Sequence, residues 1–183
     1  MSTTELTTTP SGTQSPHWTE RLRYGSTVLI RPIGEQDLEL ERAFVRRLSP
    51  QTRHWRFMGQ VQELGAEQLR RFVDIDYGRD MAFVALVHED GEKREVGVSR
   101  YCVGADPHTC ECAVVVADAW QGRGLGTVLM RHLIDTARAH GIRRMISIDA
   151  AENAAMRELA RDLGFERRAD AGDVTQVIHT IAL

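Results

Sequence analysis

One short segment constrains the fold of this chain more than any other: residues 121–126 read Gln-Gly-Arg-Gly-Leu-Gly. They follow an apolar run, residues 113–117, and precede a long segment with apolar residues at helical spacing. The first amides of a helix lack carbonyl partners and carry a partial positive charge, and glycines allow a tight turn and the close approach of a ligand. The order of strand, glycine turn and helix therefore predicts a pyrophosphate site. The spacing differs from the dinucleotide pattern G-x-G-x-x-G, and the segment lacks the Gly-Lys-Ser/Thr of a P-loop.

Composition favours one soluble globular domain. Of the 183 residues, 42% are apolar and 27% charged, and the formal net charge is −3, so nothing global indicates nucleic acid or an anionic membrane surface as a partner. No apolar run approaches the roughly 18 residues of a membrane span. We expect residues 1–24, rich in Thr, Ser and Pro, to form a disordered leader, and residues 25–183 to form a single domain.

The three cysteines argue against a disulfide framework, because their number is odd, and they fit a reducing cytoplasm. Cys110 and Cys112 are two residues apart and should share one face of a strand. Further Cys or His ligands at suitable spacing are missing from the sequence, so no metal site is predicted.

Hydrophobic periodicity and turn signals predict a mixed α/β domain in which helices pack against a sheet. Strands are predicted at residues 27–33, 81–88, 95–103, 109–117, 144–148, 165–168 and 174–181. Helices are predicted at residues 37–47, 50–56, 65–73, 124–140 and 153–163, the second of them opened by Ser49 as N-cap and Pro50 at the first helical position.

Two stretches, about 30 residues apart, carry a family resemblance. Residues 114–127 read Val-Val-Val-Ala-Asp-Ala-Trp-Gln-Gly-Arg-Gly-Leu-Gly-Thr, and the second stretch contains Asn153, Met156, Leu159 and Leu163-Gly164-Phe165. Together they resemble the two central motifs of the GNAT N-acetyltransferases. The resemblance implies the GNAT fold, a mostly antiparallel mixed sheet of about six to seven strands flanked by four to five helices. It also implies acetyl-CoA as co-substrate.

The resemblance also assigns the co-substrate site. The pantetheine arm would pair with the main chain of Val114, Val115 and Val116, and the pyrophosphate would accept hydrogen bonds from main-chain amides of the loop. The residues implied in the loop and beyond it are Gln121, Gly122, Arg123, Gly124, Leu125, Gly126, Thr127, Asn153 and Met156. Each such bond to a charged acceptor contributes roughly 1.5–3 kcal/mol. Two alternatives are a glycine-rich connection without a ligand and, for Asn153, a plain helix cap.

Glu111 is the candidate general base, because acetyl transfer requires an uncharged amine. It precedes the apolar run in Cys-Glu-Cys-Ala-Val-Val-Val and lies on the strand face of Ala113 and Val115. This segment is similar to that of the Pat-type protein lysine acetyltransferases, which implies direct attack by a protein lysine, such as that of an acyl-CoA synthetase. Unperturbed Glu and Lys pKa values differ by roughly six, so burial or a water relay would have to assist. A solvated glutamate at a strand start is the alternative.

Other parts of the pattern are less complete. Many GNAT enzymes have a tyrosine as general acid where this chain has Ala160, which leaves the acid unassigned. Tyr101 is the nearest candidate by strand position, and its alternative role is core or surface packing. Residues 48–57, Leu-Ser-Pro-Gln-Thr-Arg-His-Trp-Arg-Phe, are similar to a Pat-type segment that flanks the acceptor groove. The arginines in and before this segment either attract an acidic protein surface or form a solvated helix face: Arg42, Arg46, Arg47, Arg53 and Arg56.

The sequence thus predicts an acetyl-CoA-dependent N-acetyltransferase acting on a protein lysine. Two alternatives stay open, a small-molecule amine acetyltransferase and a non-catalytic acyl-CoA-binding sensor. Nucleic-acid binding is disfavoured by the acidic balance. The identity of the acceptor, the acyl-chain preference and the oligomeric state are left undetermined.

Overall fold

The computed structural model describes residues 16–57 and 64–183, which form an eight-stranded sheet with helices on both faces. The strand order is β1-β2-β3-β4-β5-β6-β8-β7. The strands are β1 (Trp18–Arg21), β2 (Thr27–Pro32), β3 (Met81–Glu89), β4 (Glu92–Val103), β5 (Thr109–Val116), β6 (Arg144–Ala150), β7 (Glu166–Ala169) and β8 (Gln176–Ala182). The α-helices are α1 (Leu38–Arg47), α2 (Pro50–Phe57), α3 (Ala66–Val73), α4 (Leu125–Ala139) and α5 (Ala154–Asp162).

Every predicted helix and strand is present, and the mixed α/β fold is confirmed. The prediction of a disordered leader is wrong for part of its range, because β1 lies within residues 1–24 and pairs antiparallel with β2. Trp18 stacks on His132 of α4, with ring centroids 4.1 Å apart, and its edge contacts Phe83 of β3. These contacts with residues distant in the chain stabilise β1. Its own sequence is too short and too polar to predict a strand. Residues 1–15 lie outside the described residues.

The sheet separates two hydrophobic clusters. One contains the apolar stripe of α4, including Leu125, Leu129 and Leu133, together with Cys110 and Cys112 of β5. The other contains residues of α1 and α3, including Phe44 and Val73, together with Val84, Val98 and Val115 from the sheet. Side chains of β5 therefore alternate between the two clusters, as the period of two requires. The prediction that Cys110 and Cys112 share a face is confirmed.

The connection from β5 through α4 to β6 produces the one parallel strand pair of the sheet in the described chain. This pairing is short: it joins Thr109 to Arg144, Cys110 to Met145 and Glu111 to Ile146. Beyond Glu111 the two strands diverge, while β5 stays paired with β4 as far as Val116 and β6 stays paired with β8 as far as Ala150. The divergence opens a gap in the middle of the sheet, and its vertex lies at Glu111.

None of the helices within residues 16–57 and 64–183 combines the length and apolar character needed to cross a bilayer.

Candidate active site

The glycine loop joins the end of β5 to α4 through a short 3-10 helix at Asp118–Trp120. Gly122 and Gly124 have φ values of 71° and 87°, in the left-handed region that strains residues with a Cβ atom. Gly126 has no positive φ, and a Cβ atom there would lie in ordinary van der Waals contact with Cδ2 of Leu159 on α5, at 3.4 Å. Backbone conformation therefore accounts for glycine at positions 122 and 124.

The loop leaves main-chain donors available at the start of α4. Val128 donates to the carbonyl of Gly124 at 3.1 Å, the first helical hydrogen bond. The amides of residues 122–127 precede it and have no carbonyl partner within the described chain. The side chain of Leu125 is buried in the core, so this residue offers its main chain alone. Such a row of free amides at a helix start suits an anionic ligand.

Arg123 is held away from this row of amides. Its guanidinium carbon lies 4.8 Å from the centroid of the Trp120 ring, and Nη1 is 3.5 Å from the Ser26 hydroxyl. Its carbonyl accepts a hydrogen bond from the amide of Arg23 at 3.1 Å. The guanidinium group of Arg123 thus packs against Trp120, whereas the neighbouring main-chain amides make no hydrogen bond to a described carbonyl.

The β6-facing edge of β5 provides further main-chain groups. Val114, Val115 and Val116 pair with Ser99, Val98 and Gly97 of β4 on one side, and the other side faces the gap. The side-chain amide of Gln121 donates to the Val116 carbonyl at 3.1 Å, which closes the end of this edge nearest the loop.

The second motif lies at the start of α5. The Oδ1 atom of Asn153 accepts a hydrogen bond from the Met156 amide at 3.0 Å, so Asn153 is the N-cap of this helix. No described residue accepts from its side-chain NH2 group, which leaves that donor for a ligand. Met156 is buried against the core.

Asp118 connects the glycine loop to α2. Its carboxylate accepts hydrogen bonds from the amide and hydroxyl of Ser49 at 2.9 and 2.7 Å, and from the hydroxyl of Thr52 at 2.7 Å. Ser49 also caps α2 through the Thr52 amide, as the sequence predicted. Partial burial acts to raise the pKa of Asp118, but the hydrogen bonds from Ser49 and Thr52 outweigh it and lower that pKa. Sequence reasoning missed this link because Ser49 and Asp118 are far apart in the chain.

Glu111 lies at the vertex of the gap, on the sheet face that carries α1, α2 and α3. Its side chain is exposed, and it lines a cavity of about 580 Å³, a volume within the usual range for small-ligand sites. No described residue donates a hydrogen bond to its carboxylate. The cavity walls include side chains from α2, β4 and β6, namely Arg56, Arg100, Cys102, Arg144 and Ile146.

The thiols beside Glu111 are held in their neutral form. Burial raises the pKa of the Cys102 thiol, and Asp80 adds to the shift. Burial, with contributions from Cys110 and Asp149, raises the pKa of Cys112 well above its ordinary value. A cysteine nucleophile requires the thiolate, so these residues are poor candidates for an acyl-cysteine route.

Tyr101 is a core residue, as in the alternative of core packing, and it is not placed to act as the general acid. Tyr101 is fully buried on the α4 side of the sheet, and its hydroxyl is 2.8 Å from Nδ1 of His140 at the end of α4. Glu111 faces the other side. Burial raises the pKa of Tyr101 to about 12, with contributions from Cys110 and Asp80. Ala160 is also fully buried in the core, which leaves no side-chain acid at the position of the usual tyrosine.

On the far side of the gap, β6 presents a polar cluster that sequence reasoning missed. The Oδ2 atom of Asp149 accepts a hydrogen bond from the Ser147 hydroxyl at 2.6 Å and is 3.0 Å from Nδ1 of His179 on β8. Ser147 and His179 are each 1% exposed. In the sequence, these polar residues alternate with apolar neighbours in β6 and β8. This pattern could have indicated the cluster, because polar side chains buried in a sheet require hydrogen-bond partners.

Comparison with known proteins agrees with this geometry. The model of the acetyltransferase (GNAT) family matches residues 40–165. The chain is 56% identical over 170 residues to acetyltransferase PA5475 of Pseudomonas aeruginosa, covering 93% of this chain and 91% of the relative. The chain belongs to the GNAT acetyltransferase family. Most GNAT enzymes use acetyl-CoA as co-substrate.

Two other similarities concern Pat proteins. The crystal structure of the GNAT domain of S. lividans PAT superposes with a TM-score of 0.84 at 26% identity, covering 91% of this chain and 97% of that domain. Acetyltransferase Pat of Mycolicibacterium smegmatis is 28% identical over 145 residues, which is 79% of this chain and 43% of that protein. The predicted resemblance to Pat-type GNAT domains is therefore confirmed.

Proposed function

We propose that this GNAT acetyltransferase transfers the acetyl group of acetyl-CoA to a lysine side chain of a protein, with Glu111 as general base. The observation that carries the proposal is the gap between β5 and β6. The free edge of β5 runs along the gap, the glycine loop lies at one end of that edge, and a solvent-accessible carboxylate lies at the other.

The co-substrate would bind through main-chain groups. The amides of residues 122–127 would hold the diphosphate, and the free edge of β5 at Val114, Val115 and Val116 would hold the pantetheine arm. Gln121 would fix the loop end of this edge, and Asn153 and Met156 would border the arm from α5. A strand rises about 3.4 Å per residue, so roughly 17 Å separates Val116 from Glu111, a span suited to an extended arm.

The proposed reaction is a direct attack in a ternary complex. The neutral amine attacks the thioester carbonyl, an N–C bond forms, and the C–S bond breaks. Glu111 accepts the amine proton, directly or through a water molecule, because its exposed carboxylate can contact both amine and solvent. The departing thiolate takes a proton from solvent. The neutral thiols of Cys102 and Cys112 support direct attack rather than transfer through a cysteine.

The protein lysine rests on the overall similarity to Pat-type domains. The sequence resemblance of residues 48–57 and of the segment around Glu111 to such domains adds to it. A small-molecule amine is the second candidate acceptor, and the cavity of about 580 Å³ beside Glu111 favours it. A non-catalytic acyl-CoA sensor would need no base in this cavity.

The experiment that tests the proposal incubates the purified protein with labelled acetyl-CoA and an acyl-CoA synthetase or a lysate. Thiol release and mass spectrometry then locate any transferred acetyl group. Acetyl-lysine in the target supports the proposal. Thiol release with acetylated small amines alone would favour the second candidate, and binding of CoA without thiol release would favour the sensor.

A further inference from the structure

Two arginines from different elements meet above one aromatic ring in the wall of the Glu111 cavity. The guanidinium carbons of Arg56 on α2 and Arg100 on β4 lie 5.7 and 4.5 Å from the centroid of the Phe72 ring on α3. Phe57 stacks on Phe72, and Arg56 lies 5.3 Å from the Phe57 centroid. The aromatic rings fix both cations in place, which favours a preformed site over two freely moving side chains.

The positive charges of this pair are not matched by ion pairs. Arg100 donates one hydrogen bond, from Nη2 to the Phe72 carbonyl at 3.3 Å, and its buried Nε has no partner within the described chain. Across residues 16–57 and 64–183, neither Arg56 nor Arg100 has a carboxylate oxygen within 4.0 Å. Burial and the charge of Arg100 lower the pKa of Arg56 to about 10, as expected for two close cations.

The neighbouring buried carboxyl groups offset this charge incompletely. Glu41 and Glu95 are 3% and 0% exposed, and burial together with Glu41 raises the pKa of Glu95 well above its ordinary value. Both factors favour the neutral form of the Glu95 carboxyl group. Two guanidinium groups, those of Arg56 and Arg100, line the cavity from the side of α2 and β4.

The same cavity has an exposed rim. The β4–β5 turn contributes exposed residues at 104–106, and the exposed Arg144 lies across from it on β6. Asp106 is already engaged by the Thr109 hydroxyl at 2.7 Å and by the His108 amide at 3.0 Å. The rim thus adds a third arginine, Arg144, to the lining of the cavity.

We infer that Arg56 and Arg100 bind a carboxylate of the acceptor, so that the preferred acceptor is a lysine in an acidic sequence context, with its amine at Glu111. This inference rests on the proposed function and adds the substrate class. Arginine is suited to the role because its planar guanidinium binds carboxylates in a bidentate manner. Glu111 would repel the same carboxylate, which fixes the orientation of the peptide in the cavity.

The test compares two fluorescent peptides, Gly-Glu-Lys-Glu-Gly and Gly-Gln-Lys-Gln-Gly, by anisotropy on the full chain saturated with CoA. We expect the Glu peptide to bind the wild-type protein at least about tenfold more tightly. In Arg56→Gln and Arg100→Gln the preference should fall below about twofold, with CoA affinity unchanged. Arg167→Gln, an exposed residue on β7 at the far edge of the sheet, is the matched control and should retain the full preference.

Several outcomes would overturn the inference. They are equal binding of the two peptides, no binding of either, a preference that survives both substitutions, and competition by a free amino acid as strong as that of the Glu peptide. Arg56→Gln decides the matter if Arg100→Gln fails to fold, because Arg56 lies near the end of α2. Peptide acetylation is measured separately: preferential binding without acetylation contradicts the proposed function, whereas acetylation without preference contradicts only the arginine site.

Discussion

The glycine loop and the Glu111 cavity are the two halves of the candidate site, and they are built in opposite ways. The loop uses main-chain amides from six consecutive residues, 122–127, whose conformation is set by local glycines. The cavity uses side chains from α2, β4, β5 and β6, which the topology brings together. A site formed by main-chain amides tolerates side-chain substitutions without loss of its ligand. A cavity lined by side chains can acquire a different ligand through a single substitution. The first half suits a co-substrate common to a family and the second an acceptor that differs between members.

The largest expected effect is on the cavity side. Glu111→Gln should lower kcat/KM about 100-fold or more at neutral pH, because the amide cannot accept the amine proton, while CoA affinity changes less than twofold. Steady-state thiol release and calorimetry measure the two quantities. Glu166→Gln, exposed on β7, is the control and should behave as wild type. An unchanged kcat/KM would remove Glu111 from the role of base.

On the loop side, the main chain should matter more than charge. Gly124→Val should weaken CoA binding about 30-fold or more, because a β-branched residue at a φ of 87° forces the amides out of position. Arg123→Ala should weaken it less than about fivefold, since the guanidinium packs on Trp120. Calorimetric titration with CoA compares the two variants. The opposite ranking would show that the loop binds through its charged side chain.

A smaller effect, on the free energy of unfolding, is expected at Asp118, which links the glycine loop to α2. Asp118→Asn should lower the free energy of unfolding by about 1.5 kcal/mol at pH 7, a value reduced for the exposure of the carboxylate. The folded-state pKa is lowered, so this stabilisation is present above the unfolded pKa and is lost as pH falls through the lower folded value.

Urea unfolding at pH 7 and pH 3.5 measures the change. The difference between wild type and Asp118→Asn should shrink at the lower pH. Asp135→Asn, which removes an exposed ion pair with Arg138, should change stability by less than half as much at either pH. A difference for Asp118→Asn that is independent of pH would assign its effect to packing.

The smallest effect lies in the interior behind the arginines. The pKa of Glu95 is raised by burial, so ionisation above its unfolded pKa costs folding free energy, and stability falls as pH rises. Glu95→Gln removes this cost and should stabilise the protein by about 1 kcal/mol at pH 8, with little effect at pH 5. Guanidinium unfolding at both pH values provides the measurement. Destabilisation at pH 8 would mean that the ionised Glu95 supports the nearby arginines.

Much of the fold could be predicted because its signals are local. The apolar stripe of α4, the glycines beside it and the alternation in β5 are each contained in fewer than 20 residues. Strand β1 could not be predicted in this way, because it has only four residues and a single apolar one, Trp18. These residues form a strand through pairing with β2 and through stacking of Trp18 on His132. Its stability is tertiary in origin, and a single sequence does not display such contacts.

The residues of the candidate site also differ in whether a local sequence signal predicts them. The loop residues follow from the motif, and Glu111 follows from its place before the apolar run. Arg100 was missed because it reaches the cavity through the pairing of β4 with β5, in which it lies opposite Ala113. A charged residue within an otherwise buried strand was the available signal. Arg56 was among the candidate arginines, but nothing in the sequence separated it from Arg42, which forms an exposed pair with Glu39.

The hydrogen bonds from Ser49 and Thr52 to Asp118 have a thermodynamic consequence. They tie the first turn of α2, whose last turn carries Arg56, to the segment that leads into the glycine loop. A molecule that orders the loop would therefore also restrain the helix beside the Glu111 cavity. Linkage requires that any resulting change of affinity at one half is matched by the same factor at the other. Such reciprocity holds whichever molecule binds first, so it would be seen as equal factors in the two binding constants and not as an order of binding.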